Sequence, residues 1–132
     1  MSAVPRPLIL VVDDVPDTRR LMRRVLERAG LEVVEAGTGE AALEVIERQR
    51  PALVVLDLRL PGMSGFDVAR WVRAHADPEI ARTVLLACSA SVQPDVQREA
   101  LEAGADAFEG KPFEVDAFSE LIHSMLDMPW SG

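Results

Sequence analysis

Basic residues are scarce in this sequence. Its 14 lysines and arginines face 22 aspartates and glutamates, a formal net charge of -8. Such a chain lacks the cationic face that neutralises nucleic-acid phosphates, which argues against direct binding to DNA or RNA. The same deficit argues against docking on an anionic membrane surface. Cysteine is nearly absent: Cys88 stands alone, cannot form an internal disulfide, and suits a reducing compartment. No apolar run approaches the ~20 residues that span a bilayer. Met1 to Pro7 lacks the long apolar stretch of a secretory signal. Linkers, repeats and low-complexity stretches are also missing. These absences point to a soluble, cytoplasmic chain. Its 132 residues fit one domain over 1–132, with a core over about 8–126 and loose ends at Met1–Pro7 and Met128–Gly132. A chain of that size buries one continuous core without disulfides or structural metal.

What is present is an alternation. Leu8–Val12 (LILVV), Leu53–Leu56 (LVVL) and Val84–Cys88 (VLLAC) are short, wholly apolar runs, and each stops abruptly at a polar residue. Runs of this kind mark strands buried on both faces of a parallel sheet. Glu32–Ala36 and Asp106–Glu109 are weaker, more polar strand candidates and belong at sheet edges. Helical spacing lies between the runs: Leu21, Met22, Val25, Leu26 and Ala29; Ala42, Leu43 and Ile46; Phe66, Ala69 and Val72; Val96, Ala100, Leu101 and Ala103; Val115, Phe118, Leu121, Ile122 and Met125. Pro16 and Pro94 suit first turns, and Gly30 and Gly104 suit helix ends. Strict alternation predicts an α/β fold, an open parallel sheet with helices on both faces and right-handed crossovers.

In such a sheet a ligand site lies beyond the carboxyl ends of the strands. Asp13 and Asp14 follow the first run, Asp57 the third strand, Ser89 and Ala90 the fourth, and Lys111 and Pro112 the fifth. Three carboxylates converging there repel one another unless a hard divalent cation offsets them, and magnesium suits a few carboxylates plus water and phosphate oxygens. Lys111 adds a point charge. This set fits phosphoryl transfer, which asks for positioning and charge stabilisation. A carboxylate serves as covalent acceptor in such chemistry. Asp57, single and at the end of the most central strand, is the best candidate. A bare phosphate site of backbone amides is disfavoured, because DDVPD repels an anion. Taken alone, Asp13 and Asp14 read more readily as helix caps than as a site, and only Asp57 and Lys111 beside them reverse that; Phe108, Ser89 and Ser91 suit core or turn roles. His75 and His123 read as surface residues, Cys88 as core and Trp71 as packing.

The motifs VVDD at 11–14, LDLRLPGMSG at 56–65, Ser89-Ala90, and GKPF at 110–113 together resemble the receiver domain of two-component response regulators, over Leu8 to about Leu126. The resemblance implies a flavodoxin-like (βα)5 fold with strand order 2-1-3-4-5. It implies that Asp57 takes a phosphoryl group from a histidine kinase or histidine phosphotransfer protein. It implies Mg2+ (or Mn2+) bound directly by Asp14, Asp57 and the backbone carbonyl of Arg59, with Asp13 acting through water. Lys111 would contact a phosphoryl oxygen, Ser89 and Phe108 would form the switch, and Lys111–Pro112 would be cis. The side chains of Arg59 and Ser91 would tune phosphate lifetime. The chain would modify only itself, turning over no external substrate. Its output would leave through the fourth helix, fifth strand and fifth helix to an unidentified downstream protein, with a phosphorylation-dependent homodimer as one form. A phosphatase of the haloacid dehalogenase type would want a second aspartate two residues after Asp57, where Arg59 stands. A third reading is a receiver fold used as a constitutive interaction module.

Overall fold

A computed structural model describes residues 7–127. Five strands form one parallel sheet in the order β2-β1-β3-β4-β5, as the resemblance implied. They are β1 (Leu8–Val12), β2 (Glu32–Ala36), β3 (Leu53–Asp57), β4 (Val84–Ser89) and β5 (Ala107–Gly110). The helices are α1 (Pro16–Arg28), α2 (Gly39–Gln49), α3 (Gly65–Arg73), α4 (Pro78–Ala81), α5 (Pro94–Ala103) and α6 (Val115–Met125). The three wholly apolar runs became the three inner strands, and the two polar ones took the edges. The physical cause is burial: an inner strand needs apolar side chains on both faces.

Alternate residues serve opposite layers. Leu10, Val12, Val54 and Leu56 pack with Ala42, Ile46, Val68 and Val72 of α2 and α3. Ile9, Val11, Leu53 and Val55 pack with Met22, Leu26, Phe118 and Ile122 of α1 and α6. Ala100 of α5 meets Ala87 and Leu58 on the first of these faces.

The one-turn helix α4 was not expected. Pro78 opens it and the Asp77 carboxylate accepts from the Glu79 amide, but four residues are too few to show a helical period. The segments predicted as fourth and fifth helices are therefore α5 and α6. His123 is a correction: it is 3% exposed, not at the surface. Helical phase turns it inward with Ser119 and Ile122, and its Nδ1 lies 2.8 Å from the Ser119 carbonyl oxygen. His75 is half-buried, with Nε2 2.9 Å from Glu47 Oε1, and Trp71 packs edge-on against it. Cys88 is core, and burial pushes its thiol up to about 12. The expected loose ends, apart from Pro7, lie outside the described residues.

Beside the amino ends of β4 and β5, one side chain ties three segments together. Arg73 Nε donates to the Gly104 carbonyl at 2.9 Å, and Nη1 to the Ala81 and Thr83 carbonyls at 2.8 Å each. Its Nη2 meets Asp106 Oδ2 at 2.8 Å, and that oxygen also accepts from the Leu85 amide at 2.9 Å. Arg73→Ala is expected to lower stability by about 2 kcal/mol, since it strands several part-buried carbonyls at once. Urea unfolding measures this, and an unchanged midpoint would show the clamp to be idle.

Candidate functional site

The parallel register brings the carboxyl ends of the strands level. Val12 pairs with Leu56, and Asp57 with Cys88. Asp13 therefore emerges beside Asp57, and Lys111 arrives from the far edge, its amide donating to the Ser89 carbonyl at 2.9 Å. One carboxylate oxygen from each of Asp13, Asp14 and Asp57 lies within 4.8 Å of the others. Asp13 and Asp57 are buried, at 0% and 6% exposure, whereas Asp14 is exposed.

Each oxygen of the two buried carboxylates has a donor. Lys111 Nζ lies 2.7 Å from Asp13 Oδ2 and 3.2 Å from Asp57 Oδ2. The Val15 amide donates to Asp13 Oδ1 at 2.9 Å, and the Arg59 amide to Asp57 Oδ1 at 3.0 Å. The Asp14 carboxylate has no partner among the described residues. Helix capping does not claim the acidic pair either: Val15 is the N-cap of α1, with no side-chain cap bond.

Burial is the strongest influence on Asp57 and pushes its carboxyl up. The Arg59 amide and Lys111 pull it down, Asp13 pushes it up, and the balance stays above the ordinary carboxylate value. Burial pulls the Lys111 ammonium down, but Asp13 and Asp57 outweigh it and hold its pKa above the ordinary lysine value. Lys111 is therefore a fixed cation. One ammonium does not balance three carboxylates, and a set of hard oxygen donors with a free carboxylate at its rim fits a divalent cation such as magnesium.

The other predicted residues surround this centre. Ser89 is buried, and its Oγ accepts from the Ser91 amide at 3.1 Å, with no bond to Asp57. Phe108 pairs with Ala87 across the sheet and packs, half-buried, on Leu58, Ala87, Ala100 and Ala105, a strand away from the acidic cluster. The Lys111–Pro112 bond is cis. Arg59 is exposed and Ser91 half-buried at the rim. A cavity of about 340 Å³ opens beside Lys111, lined by Thr18, Leu21, Ala90, Lys111, Pro112 and Phe113.

Two contributors were not singled out from the sequence. Arg19 Nη1 donates to the Asp13 carbonyl at 2.7 Å, a contact that residue spacing along α1 does not announce. Gly65 sits inside the LDLRLPGMSG motif, and its lack of a side chain lets α3 start directly against the Asp57 carbonyl.

The profile of the response regulator receiver domain matches residues 9–123. Sporulation initiation phosphotransferase F of Bacillus subtilis is 31% identical, over 91% of this chain and 94% of its own length. Hybrid signal transduction histidine kinase C of Dictyostelium discoideum is 27% identical over 90% of this chain, which spans only 10% of that kinase. The chain likewise spans about half, 47%, of matched transcriptional regulators. Among solved structures, the chemotaxis protein CheY4 of Vibrio cholerae superposes with a TM-score of 0.85 at 26% identity, covering 92% of this chain and 99% of that one. With the fold, the strand order and the acidic cluster in agreement, this chain belongs to the receiver domain family of two-component response regulators.

Proposed function

We propose that the chain is one phosphorylation-switched domain in which Asp57 is the phosphoacceptor. The observation that carries this is the placement of Asp57: its carboxylate is held by Lys111 and the Arg59 amide, beside Asp13 and an Asp14 that has no partner among the described residues. The phosphodonor is a phosphohistidine on a histidine kinase or phosphotransfer protein, in keeping with the kinase and phosphotransferase among the relatives. Asp14, Asp57 and the Arg59 carbonyl would hold Mg2+ (or Mn2+), with Asp13 helping through water. The cation supplies charge neutralisation for the phosphoryl oxygens.

The residues then divide the work. An Asp57 carboxylate oxygen attacks phosphorus, the phosphorus–nitrogen bond of the donor breaks, and its electron pair stays on the imidazole. Lys111, already 3.2 Å from Asp57 Oδ2, shifts its contact to a phosphoryl oxygen. The Ser89 hydroxyl accepts from Ser91, which leaves its own proton to donate to the phosphoryl group. That movement of Ser89 frees space beside β4 for Phe108 to turn inward, biasing a two-state equilibrium. The altered surface is that of α5, β5 and α6, read by a downstream protein or by a second phosphorylated copy. Arg59 and Ser91 overhang the rim and set how long the phosphate lasts. The chain turns over no external substrate. Among the described residues no helix is long and apolar enough to cross a membrane, and the proposed location is the cytoplasm.

The test is intact mass after incubation with acetyl phosphate. The expected result is the gain of one phosphoryl group with magnesium present and none with excess chelator. No gain in magnesium would sink the reading.

A further inference from the structure

The acidic cluster is also held from behind, through the main chain. Arg19, near the start of α1, donates from Nη1 to the Asp13 carbonyl at 2.7 Å and from Nε to Glu35 Oε1 at 2.9 Å. The second oxygen of Glu35 accepts from Arg23 Nη1 at 2.9 Å. Arg19 and Glu35 are each only 20% exposed in their side chains. Burial alone would push the Glu35 carboxyl up, but the two arginines hold it below the usual value, so the pair stays ionised. The turn after β2 lies against the same guanidinium: a Cβ on Gly37 would sit 3.2 Å from Arg19 Nη1.

These contacts converge on one peptide unit. The Asp13 amide donates to the Ala36 carbonyl at 3.2 Å, and its side chain is fixed by Val15 and Lys111. The Asp13 carbonyl belongs to the same planar unit as the Asp14 amide. Turning that plane would move Asp14, and among the described residues the Asp14 carboxylate has no partner to hold it. The only side chain bonded to the Asp13 carbonyl among the described residues is Arg19.

We infer that Arg19 is a positioning residue for cation binding, clamping the Asp13–Asp14 peptide so that both carboxylates point into the site. This rests on the proposal that the cluster binds a divalent cation. Glu35, shared with Arg23, pairs with the guanidinium and offsets part of its charge at the cluster. Geometry is the means: only a planar fork reaches the carbonyl and Glu35 together.

The test is Mg2+ affinity of the unphosphorylated protein, by calorimetric titration, on wild type, Arg19→Ala, Arg19→Lys, Arg23→Ala and Asp14→Asn. Thermal melts and the amide resonance of Asp14 are recorded alongside. Arg19→Ala is expected to weaken binding about tenfold, the usual effect of losing a partner behind a ligand. Its Asp14 amide resonance should shift in the metal-free protein. Arg19→Lys, which reaches one partner but not both, is expected to fall between wild type and Arg19→Ala, and serves if alanine disturbs folding. Arg23→Ala removes a comparable Glu35 contact without touching Asp13, and its affinity should stay within about twofold of wild type. Equal affinity in wild type and Arg19→Ala, or equal losses in Arg19→Ala and Arg23→Ala, would overturn the inference while leaving the cation site standing. Unchanged affinity in Asp14→Asn would remove the cation site and the inference with it.

Discussion

Asp57→Asn is expected to take no phosphoryl group at all from acetyl phosphate in magnesium, by intact mass, where wild type takes one. The amide nitrogen is not a nucleophile at phosphorus, and the amide oxygen carries no charge for a cation to share. No neighbour replaces it. Asp13 is fully buried with both oxygens bonded, and Asp14 is exposed, while the Arg59 amide donates to Asp57 Oδ1. The loss should come without loss of fold. Asp57 is held charged in a place where burial and Asp13 disfavour charge, so removing that charge relieves repulsion. Lys111 keeps its 2.7 Å contact with Asp13. The melting temperature of Asp57→Asn should therefore equal or exceed that of wild type. A variant that gains the group at another aspartate at the wild-type rate would show the acceptor to be misassigned.

Gly65→Ala should be the most damaging alanine substitution among the described glycines. A Cβ there would overlap the Asp57 carbonyl oxygen and lie 2.7 Å from Leu58 Cα and 3.0 Å from the Asp57 carbonyl carbon. All three are backbone atoms, and no side-chain rotation relieves the clash. The Gly65 amide also donates to the Leu58 carbonyl at 3.2 Å, so backing away breaks that bond. Overpacking of this severity costs about 3 kcal/mol. For a domain of this size that is a fall of roughly 10 °C in melting temperature, read by scanning calorimetry. The strain falls on the peptide that carries the acceptor, so phosphorylation should slow in whatever fraction stays folded. A melting temperature within about 2 °C of wild type would show that the loop yields freely.

Much of this was legible beforehand, and the reason is local. LILVV, LVVL and VLLAC have nowhere to go except the middle of a sheet, and EVVEA cannot. The polar residues that stop those runs mark the strand ends, so Asp13, Asp57 and Ser89 could be placed on one rim. Lys111 reached the same rim by following the fifth strand candidate, although a lone lysine is ordinarily solvated and its role came from GKPF. α4 escaped because one turn has no period. His123 was misplaced because charged neighbours along the chain say little about which side of a helix faces inward. Arg19 escaped because its contact is with a carbonyl, which every residue has.

Lys111 is the only lysine among the 132 residues; every other basic side chain is an arginine. The ammonium that bridges Asp13 and Asp57 is thus the sole ε-amine the chain offers to acylating reagents, aldehydes or acetyl-transferring enzymes. Acetylation there would erase the one ammonium that offsets the three carboxylates. For this molecule, lysine modification falls on the cation of the acidic cluster itself, and lysine-directed labelling becomes a single-position gauge of that cluster.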